Sequence, residues 1–205
     1  MVTPYYSDDL VTIYHGDCRE WMPAADVIVT DPPYGMAYDS GWSGATVAND
    51  HDTTTRDAVL DSWPGPALVF GRWSAPRPAA TRHVLIWDKG DWPGMGDLAL
   101  PWGPSTEEVY VIGTGFVGPR RGSVIRDPHR PVGTTALHPS QKPVALLARL
   151  IEATTGTILD PFMGSGSTLV AAKSLGRRSI GIEIEERYCE IAAQRCSQEV
   201  LGLTS

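Results

Sequence analysis

Apolar residues in this chain come in short runs, several of which end just before an acidic residue. Val27 to Thr30 contains only β-branched residues and is bounded by turn-forming residues, which predicts a buried strand ending at Asp31. Similar runs predict strands at Leu10–Tyr14 before Asp17, Thr157–Leu159 before Asp160, and Ser179–Ile182 before Glu183. Further strands are predicted at 67–70, 83–88, 107–113 and 122–126, the last two as a hairpin.

Between these strands, apolar residues recur at helical spacing. Val144, Leu147, Ala148 and Ile151 follow the spacing of a helix with one buried face, for which Ser140 is the predicted N-cap. Other helices are predicted at 18–22, at 56–63, from the glycine-rich turn to Leu175 with Gly176 just beyond its end, and at the C-terminus, where Tyr188, Ile191, Ala192 and Cys196 would be buried. Strands alternating with helices predict an α/β protein whose parallel sheet has helices on both faces.

The 205 residues suit a single domain, 1–205. Its 21 glycines and 17 prolines concentrate between positions 35 and 140, so we expect a small inserted hairpin and loop region at 89–137. The three cysteines lack metal-ligand spacing, and no apolar run is long enough to span a bilayer. We therefore expect a cytoplasmic protein with reduced thiols, no metal site and no membrane contact.

The net charge of −7 by itself argues against a nucleic-acid partner, but basic residues concentrate in one segment. Between Gly118 and Lys142, five lysine and arginine residues stand against Asp127 alone. Such a strip could follow phosphates, and we predict phosphate contacts for Arg120, Arg121 and Arg126. A solvated hairpin face would carry the same charges, and the charge pattern does not separate the two interpretations.

The turn after the predicted strand at Val27 presents hydrogen-bond acceptors. Pro32 and Pro33 have no N–H and a fixed φ, so the carbonyls around them are held in a stiff turn beside the acceptor-only carboxylate of Asp31. An exocyclic NH₂ of a nucleobase would supply donors, and Tyr34 offers a ring on which an unpaired base could stack. A turn in which the carboxylate only caps a backbone N–H fits the local residues equally well.

A second turn, Asp160-Pro161-Phe162-Met163-Gly164-Ser165-Gly166, joins a predicted strand to a predicted helix, and Glu183 ends the next strand. This is the arrangement of a nucleoside-binding unit, in which the acid takes ribose hydroxyls. A P-loop would need a lysine after Gly166, and a dinucleotide fingerprint would need a small residue where Leu169 stands. A ribosylated adenine without phosphates fits better, and S-adenosylmethionine is the common one.

Together these segments resemble the amino-DNA methyltransferases that modify N6 of adenine or N4 of cytosine. Asp31-Pro32-Pro33-Tyr34 is similar to their catalytic tetrad, and the turn at 160–166 to their cofactor loop. His138 to Pro143 is similar to the segment that holds the methionine end of the cofactor, Gly181-Ile182-Glu183 to the ribose-binding strand tip, and Gly16-Asp17-Cys18 to the element that meets the cofactor adenine. Tetrad first and cofactor loop last is the order of the beta class.

The resemblance implies a Rossmann-like methyltransferase sheet, circularly ordered with the catalytic half first. It implies S-adenosylmethionine as cofactor, DNA as substrate, and methyl transfer to an exocyclic amine by a flipped-base mechanism. The implied catalytic residues are Asp31, Pro32, Pro33 and Tyr34; the implied cofactor-binding residues are Asp17, Cys18, Ser140, Lys142, Asp160, Phe162, Gly164, Ser165, Gly166, Thr168 and Glu183.

The chain departs from the beta class in one respect, because only about residues 89–137 are available for target recognition. Sequence specificity is then slight, or depends on a second copy or another subunit. Asp at the head of the tetrad favours N6 of adenine over N4 of cytosine. Two other functions stay open: a non-catalytic DNA-binding or partner subunit, and a methyltransferase acting on RNA or protein amines.

Overall fold

The structure is a computed structural model that describes residues 2–34, 52–90, 98–127 and 141–198. Within these ranges nine strands form one sheet and four helices pack on it. The strands are β1 Tyr6–Ser7, β2 Val11–His15, β3 Val27–Thr30, β4 Ala67–Gly71, β5 Thr81–Asp88, β6 Thr106–Ile112, β7 Val124–Arg126, β8 Ile158–Asp160 and β9 Ser179–Glu183. The helices are α1 Thr54–Ser62, α2 Val144–Ile151, α3 Ser167–Ser174 and α4 Glu186–Gln198.

The strand order is β1-β2-β9-β8-β3-β4-β6-β5-β7. Seven of these strands run parallel to one another, while β1 and β6 run in the opposite direction. The predicted α/β sheet is therefore confirmed. The predicted short helix at 18–22 is wrong, because residues 18–20 form a turn and residues 21 and 22 have no regular secondary structure.

The predicted hairpin between 107–113 and 122–126 is also wrong. β6 pairs with β4 on one side and β5 on the other, and β7 pairs with β5 in parallel. The reason lies in burial: Val109, Tyr110 and Ile112 are all buried, so this strand needs neighbours on both sides, whereas β7 has only Ile125 buried and suits an edge. Part of the region predicted as an insertion thus belongs to the central sheet.

Alternate residues of β3 separate the two faces of the sheet. Val27 and Val29 pack in one hydrophobic cluster with α2 and α3, whereas Ile28 packs in another with Val59 of α1. The α3 residue Leu169 also packs with α4, so α2, α3 and α4 share one face. Among the described residues, no helix has the length and apolar character needed to cross a membrane.

Helix α2 confirms the predicted helix but not its predicted cap, and the predicted residues Val144 and Ala148 are only partly buried. Its buried residues are Leu146, Leu147, Leu150 and Ile151. Pro143 is the N-cap residue; its backbone is extended, and the helix begins at Val144. Ser140 lies outside the described residues and is not the cap. At the end of α3, Gly176 has a φ of +64° just beyond the C-cap, as predicted.

The carboxyl ends of the parallel strands share one side of the sheet, which we call the carboxyl edge. β3 ends before Asp31, β8 ends at Asp160, and β9 ends at Glu183. Because β6 is reversed, its beginning rather than its end lies here, with Thr106 opposite Asp88. This edge is where open α/β sheets bind their ligands.

Candidate active site

The Asp31 carboxylate receives two hydrogen bonds at the tip of β3. The Tyr34 hydroxyl donates to Oδ1, and the Lys142 ammonium donates to Oδ2 at 2.7 Å. Lys142 Nζ is also 3.2 Å from the Tyr34 hydroxyl oxygen. Asp31 and Lys142, which are 111 positions apart in the chain, are therefore in direct contact. The Asp31 side chain is 22% exposed and remains accessible to a ligand.

Lys142 is shared with a second carboxylate, which sequence reasoning missed. Its Nζ lies 3.1 Å from Oε2 of Glu107, the second residue of the reversed strand β6. The other oxygen of Glu107 lies 2.5 Å from Nζ of Lys89, just beyond the end of β5. The four groups alternate in sign in the order Asp31, Lys142, Glu107, Lys89, and we call them the charge chain.

Burial and these contacts shift the ionisation of the charge chain. Burial raises the pKa of Asp31, and the nearby Lys142 ammonium offsets only part of that shift. Burial alone would lower the pKa of Lys142 and raise that of Glu107, but their opposite charges reverse both, so the pKa of Lys142 is raised and that of Glu107 is lowered. Lys142 and Glu107 are therefore ionised at neutral pH.

The glycine turn is shaped by backbone geometry and by helix packing. Gly166 has a φ of +80° at the N-cap of α3, and a Cβ there would lie 2.7 Å from Cβ of Ala192. From the same helix α4, Arg195 donates to the Ser165 carbonyl oxygen at 2.5 Å. Gly164, with a φ of +51°, has nothing within 4 Å of a Cβ position, so open space borders this part of the turn.

Asp160 connects the glycine turn to the tetrad strand. The Thr30 hydroxyl donates to Oδ1 of Asp160 at 2.6 Å, and the Phe162 N–H donates to the same oxygen at 3.2 Å. Asp160 is 2% exposed, and its burial raises its pKa to about 6. A buried carboxyl group with a raised pKa therefore ends β8, the neighbour of the strand that leads to Asp31.

Glu183 holds the other side of the glycine turn. Its carboxylate accepts hydrogen bonds from the N–H groups of Gly164 at 2.8 Å and Glu185 at 2.9 Å. Each carboxylate oxygen retains capacity for a further donor. Beside it, Asp17 is paired with Arg19, and Cys18 is 6% exposed, with its pKa raised to about 12 by burial. Asp17 and Glu183 follow neighbouring strands, β2 and β9.

One pocket brings the three sequence motifs together. It is open to solvent at the carboxyl edge. Its lining includes Asp31 from the tetrad, Lys142 from the segment before α2, Asp160, Phe162, Gly164 and Ser165 from the glycine turn, and Thr168 from the start of α3. The open space at Gly164 and the acceptor capacity of Glu183 fit a nucleoside cofactor.

The structure does not bring Arg120 and Arg121 to this pocket. Arg121 Nη1 lies 3.3 Å from Oε2 of Glu152, which follows the end of α2 on the side of the sheet where β8 begins. Arg126 is different, because it ends β7 at the carboxyl edge and is 80% exposed. Ser140, the remaining predicted cofactor residue, is outside the described residues.

Comparison with known proteins gives the family. The model of a DNA methylase family, N6_N4_Mtase, matches residues 61–194. The chain belongs to this DNA methylase family. Its enzymes are methyltransferases acting on N6 of adenine or N4 of cytosine in DNA, with S-adenosylmethionine as cofactor. The predicted family, cofactor and DNA substrate are thereby confirmed, and the choice between the two bases is left open.

Individual relatives of this DNA methylase are similar over nearly all of its length. The chain is 30% identical to the putative methylase YubD of Escherichia coli strain K12, over 88% of this chain and 87% of that protein. It superposes on the crystal structure of the M1.HpyAVI–SAM complex with a TM-score of 0.61 and 24% identity, covering 91% of this chain and 100% of the other. For the cytosine-N4-specific PvuII DNA methyltransferase the TM-score is 0.70 at 15% identity, and the superposition covers 94% of this chain and 88% of that chain. Both superpositions support the fold.

Proposed function

We propose that this DNA methylase transfers a methyl group to N6 of adenine in DNA. In this proposal the Asp31 carboxylate accepts a hydrogen bond from the amine that is methylated. The observation that carries the proposal is that Asp31 and residues of the glycine turn line the same pocket. An amine bound to Asp31 and a cofactor held at Gly164 would lie next to each other in this pocket. Direct transfer requires such proximity of the reacting groups.

The tetrad supplies acceptors for the amine. A conjugated exocyclic amine is a weak nucleophile, and hydrogen bonds from its NH₂ to the Asp31 carboxylate and to the Pro32 carbonyl favour a tetrahedral nitrogen with an available lone pair. As that lone pair forms the new bond to carbon, positive charge develops on nitrogen, and the negative carboxylate stabilises it. The surplus proton then leaves the nitrogen for Asp31 or water.

The residues around the glycine turn bind the cofactor. S-adenosylmethionine, when bound, supplies an electrophilic methyl group whose bond to sulfur breaks with the electron pair remaining on sulfur. Glu183 would accept its ribose hydroxyls, Gly164 and Ser165 would border it closely, and Asp17, Cys18 and Phe162 would hold the adenine. The supporting observation is that Glu183 already orients the turn through the Gly164 N–H.

DNA would approach the carboxyl edge. Trp73, 74% exposed, follows the end of β4, and Trp102, 79% exposed, lies in the segment that leads into β6 at the same edge. Exposed aromatic rings beside a base pocket suit stacking with unpaired bases. With so little chain between 89 and 137 for target recognition, we propose that a second copy or another subunit adds specificity, and that the enzyme acts in the cytoplasm.

N4 of cytosine is a second candidate, because the family to which the chain belongs contains enzymes that act on either amine. Asp31 and Pro32 would accept hydrogen bonds from either amine. The two functions differ in the product, because enzymatic digestion of methylated DNA releases either N6-methyladenosine or N4-methylcytidine as the deoxynucleoside. Mass spectrometry of DNA treated with the enzyme and cofactor identifies which of these is formed.

Replacement of the tetrad acid tests the proposal. We expect Asp31→Ala to reduce methyl transfer by at least about 100-fold, because the acceptor that stabilises the developing charge is lost. Transfer of labelled methyl to DNA measures the rate, and equilibrium dialysis measures cofactor binding. Asp9→Ala, which removes an exposed carboxylate elsewhere, is the matched control. Retention of activity in Asp31→Ala, or loss of cofactor binding together with activity, would contradict the assigned role.

A further inference from the structure

The charge chain extends beyond the tetrad and the glycine turn. Its members come from four separated segments: Asp31 after β3, Lys89 after β5, Glu107 in β6 and Lys142 before α2. The Lys142 ammonium is 7% exposed and lies between two carboxylates, 2.7 Å from Asp31 and 3.1 Å from Glu107. Charges buried to this degree interact more strongly than surface ion pairs.

We propose that Lys142 and Glu107 are positioning residues for Asp31. Lys142 orients the Asp31 carboxylate, and Glu107 balances the Lys142 charge so that Asp31 keeps its negative potential toward the amine. This inference rests on the proposed function, since it assumes that Asp31 receives the amine. It assigns roles to two residues that neither the tetrad nor the cofactor loop contains.

The charge balance explains why the second carboxylate is needed. An ammonium beside Asp31 fixes the carboxylate but cancels its charge, which would weaken the stabilisation of a developing cation. Glu107 gives Asp31, Lys142 and Glu107 together one net negative charge, whereas Lys89, which makes the whole charge chain neutral, is not among the charges that shift the pKa of Asp31. Lys89 binds Oε1 of Glu107, while Lys142 binds Oε2, so Lys89 anchors Glu107 from the opposite side.

Further titratable groups lie near Asp31. The Tyr34 hydroxyl donates to Asp31, and burial raises its pKa well above its ordinary value, so it stays protonated. The Lys142 ammonium lies 5.5 Å from the ring centre of Tyr34 and 5.2 Å from that of Phe70, both favourable positions for a cation. Asp160, on neighbouring β8, adds a carboxyl group with a pKa raised to about 6 by burial.

The resemblance to amino-DNA methyltransferases implies a different role for Lys142, as a ligand of the cofactor. The two roles predict different effects of substituting Lys142. A cofactor ligand would affect cofactor affinity, whereas a positioning residue would affect the ionisation of Asp31. The contacts of Lys142 with Asp31, Glu107 and the Tyr34 hydroxyl favour the second role.

Two variants test the inference through the pH dependence of methyl transfer. The acid limb of the pH–rate profile, where the rate falls at low pH, reports the protonation of Asp31. Lys142→Met removes a cation beside Asp31, so the apparent pKa of this acid limb should rise. Glu107→Gln removes a nearby anion, so the acid limb should move to lower pH, although kcat on the plateau falls. We expect shifts of about half a unit or more in opposite directions and a kcat reduced about tenfold in each variant, with cofactor Kd within about threefold of the wild-type value.

The controls distinguish positioning from folding. Glu108→Gln removes the next carboxylate of β6, which is paired with Arg77 at 2.6 Å, and should leave the acid limb in place. Glu107→Asp should restore part of kcat. Equal thermal unfolding temperatures would exclude misfolding, and a variant that unfolds is replaced by Lys142→Gln or by Lys89→Met, which is expected to weaken the Glu107 anchor.

The inference is overturned if the two acid limbs shift in the same direction or do not shift. It is also overturned if Lys142→Met weakens cofactor binding more than about tenfold while the acid limb stays in place, because Lys142 would then be a cofactor ligand. Either result is compatible with an inactive Asp31→Ala variant. Failure of the proposed function is recognised separately, by activity that persists in Asp31→Ala.

Discussion

The two halves of the candidate active site are stabilised by different means. The tetrad half depends on charged side chains from distant segments, joined through Lys142 to Asp31 and Glu107. The cofactor half depends on local backbone geometry, with Gly166 fitted against Ala192 and the Gly164 N–H bound to Glu183. The half proposed to change charge during the reaction is ionic, and the half proposed to bind an invariant cofactor is determined by shape.

This difference predicts distinct consequences of mutation. Substitutions in the charge chain should change ionisation and turnover more than folding, whereas substitutions in the glycine turn should change folding or affinity. Three further predictions test the contrast, in order of decreasing expected effect.

The two glycines of the turn should respond differently to alanine. Gly166→Ala places a methyl group against Ala192 at a φ of +80°, so we expect a loss of about 2 kcal/mol or more in unfolding free energy. Gly164→Ala meets no neighbour and should lose only about 1 kcal/mol, but its methyl group would project into the space bordering the cofactor and weaken binding. Urea unfolding and equilibrium dialysis measure the two effects. Greater destabilisation in Gly164→Ala would refute this division of roles.

Thr30→Val tests the connection between the halves. It removes the hydrogen bond to Asp160, and we expect a loss of about 1–3 kcal/mol in unfolding free energy at pH 8. The pKa of folded Asp160, about 6, is above that of an ordinary carboxyl group, so its ionisation destabilises the fold as pH rises through this range. Thr30 favours the ionised form, and the loss should therefore be smaller at pH 5. Urea unfolding at both pH values measures it, and an equal or larger loss at pH 5 would contradict the assigned ionisation.

The arginines should separate by their location in the sheet. Arg126→Ala, at the carboxyl edge, should weaken DNA binding modestly and reduce the slope of log K against log salt by about 0.9 if it contacts one phosphate. Arg121→Ala removes a side chain paired with Glu152 on the opposite side and should have a smaller effect. Fluorescence anisotropy with labelled DNA at several salt concentrations compares them. A larger effect of Arg121→Ala would show that DNA reaches the other side of the sheet.

The sequence was sufficient to predict elements whose signals are local. Buried runs ending in Asp31, Asp160 and Glu183 are bounded by turn-forming residues, so the strands at the carboxyl edge could be identified, and the glycine turn indicated a nucleoside. The position of β6 could not be predicted, because the partners of a strand are chosen by long-range packing. The same limit concealed Glu107: it stands beside Glu108, and only strand pairing decides which one meets Lys142.

Thr30 and Arg195 were missed for a related reason. Thr30 was interpreted only as a β-branched strand residue, although a hydroxyl directly before the tetrad could have suggested a partner on the adjacent strand. Arg195 lies 30 positions from the Ser165 carbonyl to which it donates, and the apolar spacing of its helix α4 predicts only which face is buried. Side chains that support a site from another element leave no local signal.

The reversed direction of β6 determines where this enzyme tolerates changes in loop length. The connection before Thr106 reaches the sheet at the ligand side, so added residues there would displace the acid that follows. The connection after Ile112 begins at the opposite end of the strands, where an inserted segment would be remote from Asp31 and the glycine turn. A natural variant of this enzyme can therefore acquire new length behind the sheet without disturbing the methyl-transfer pocket.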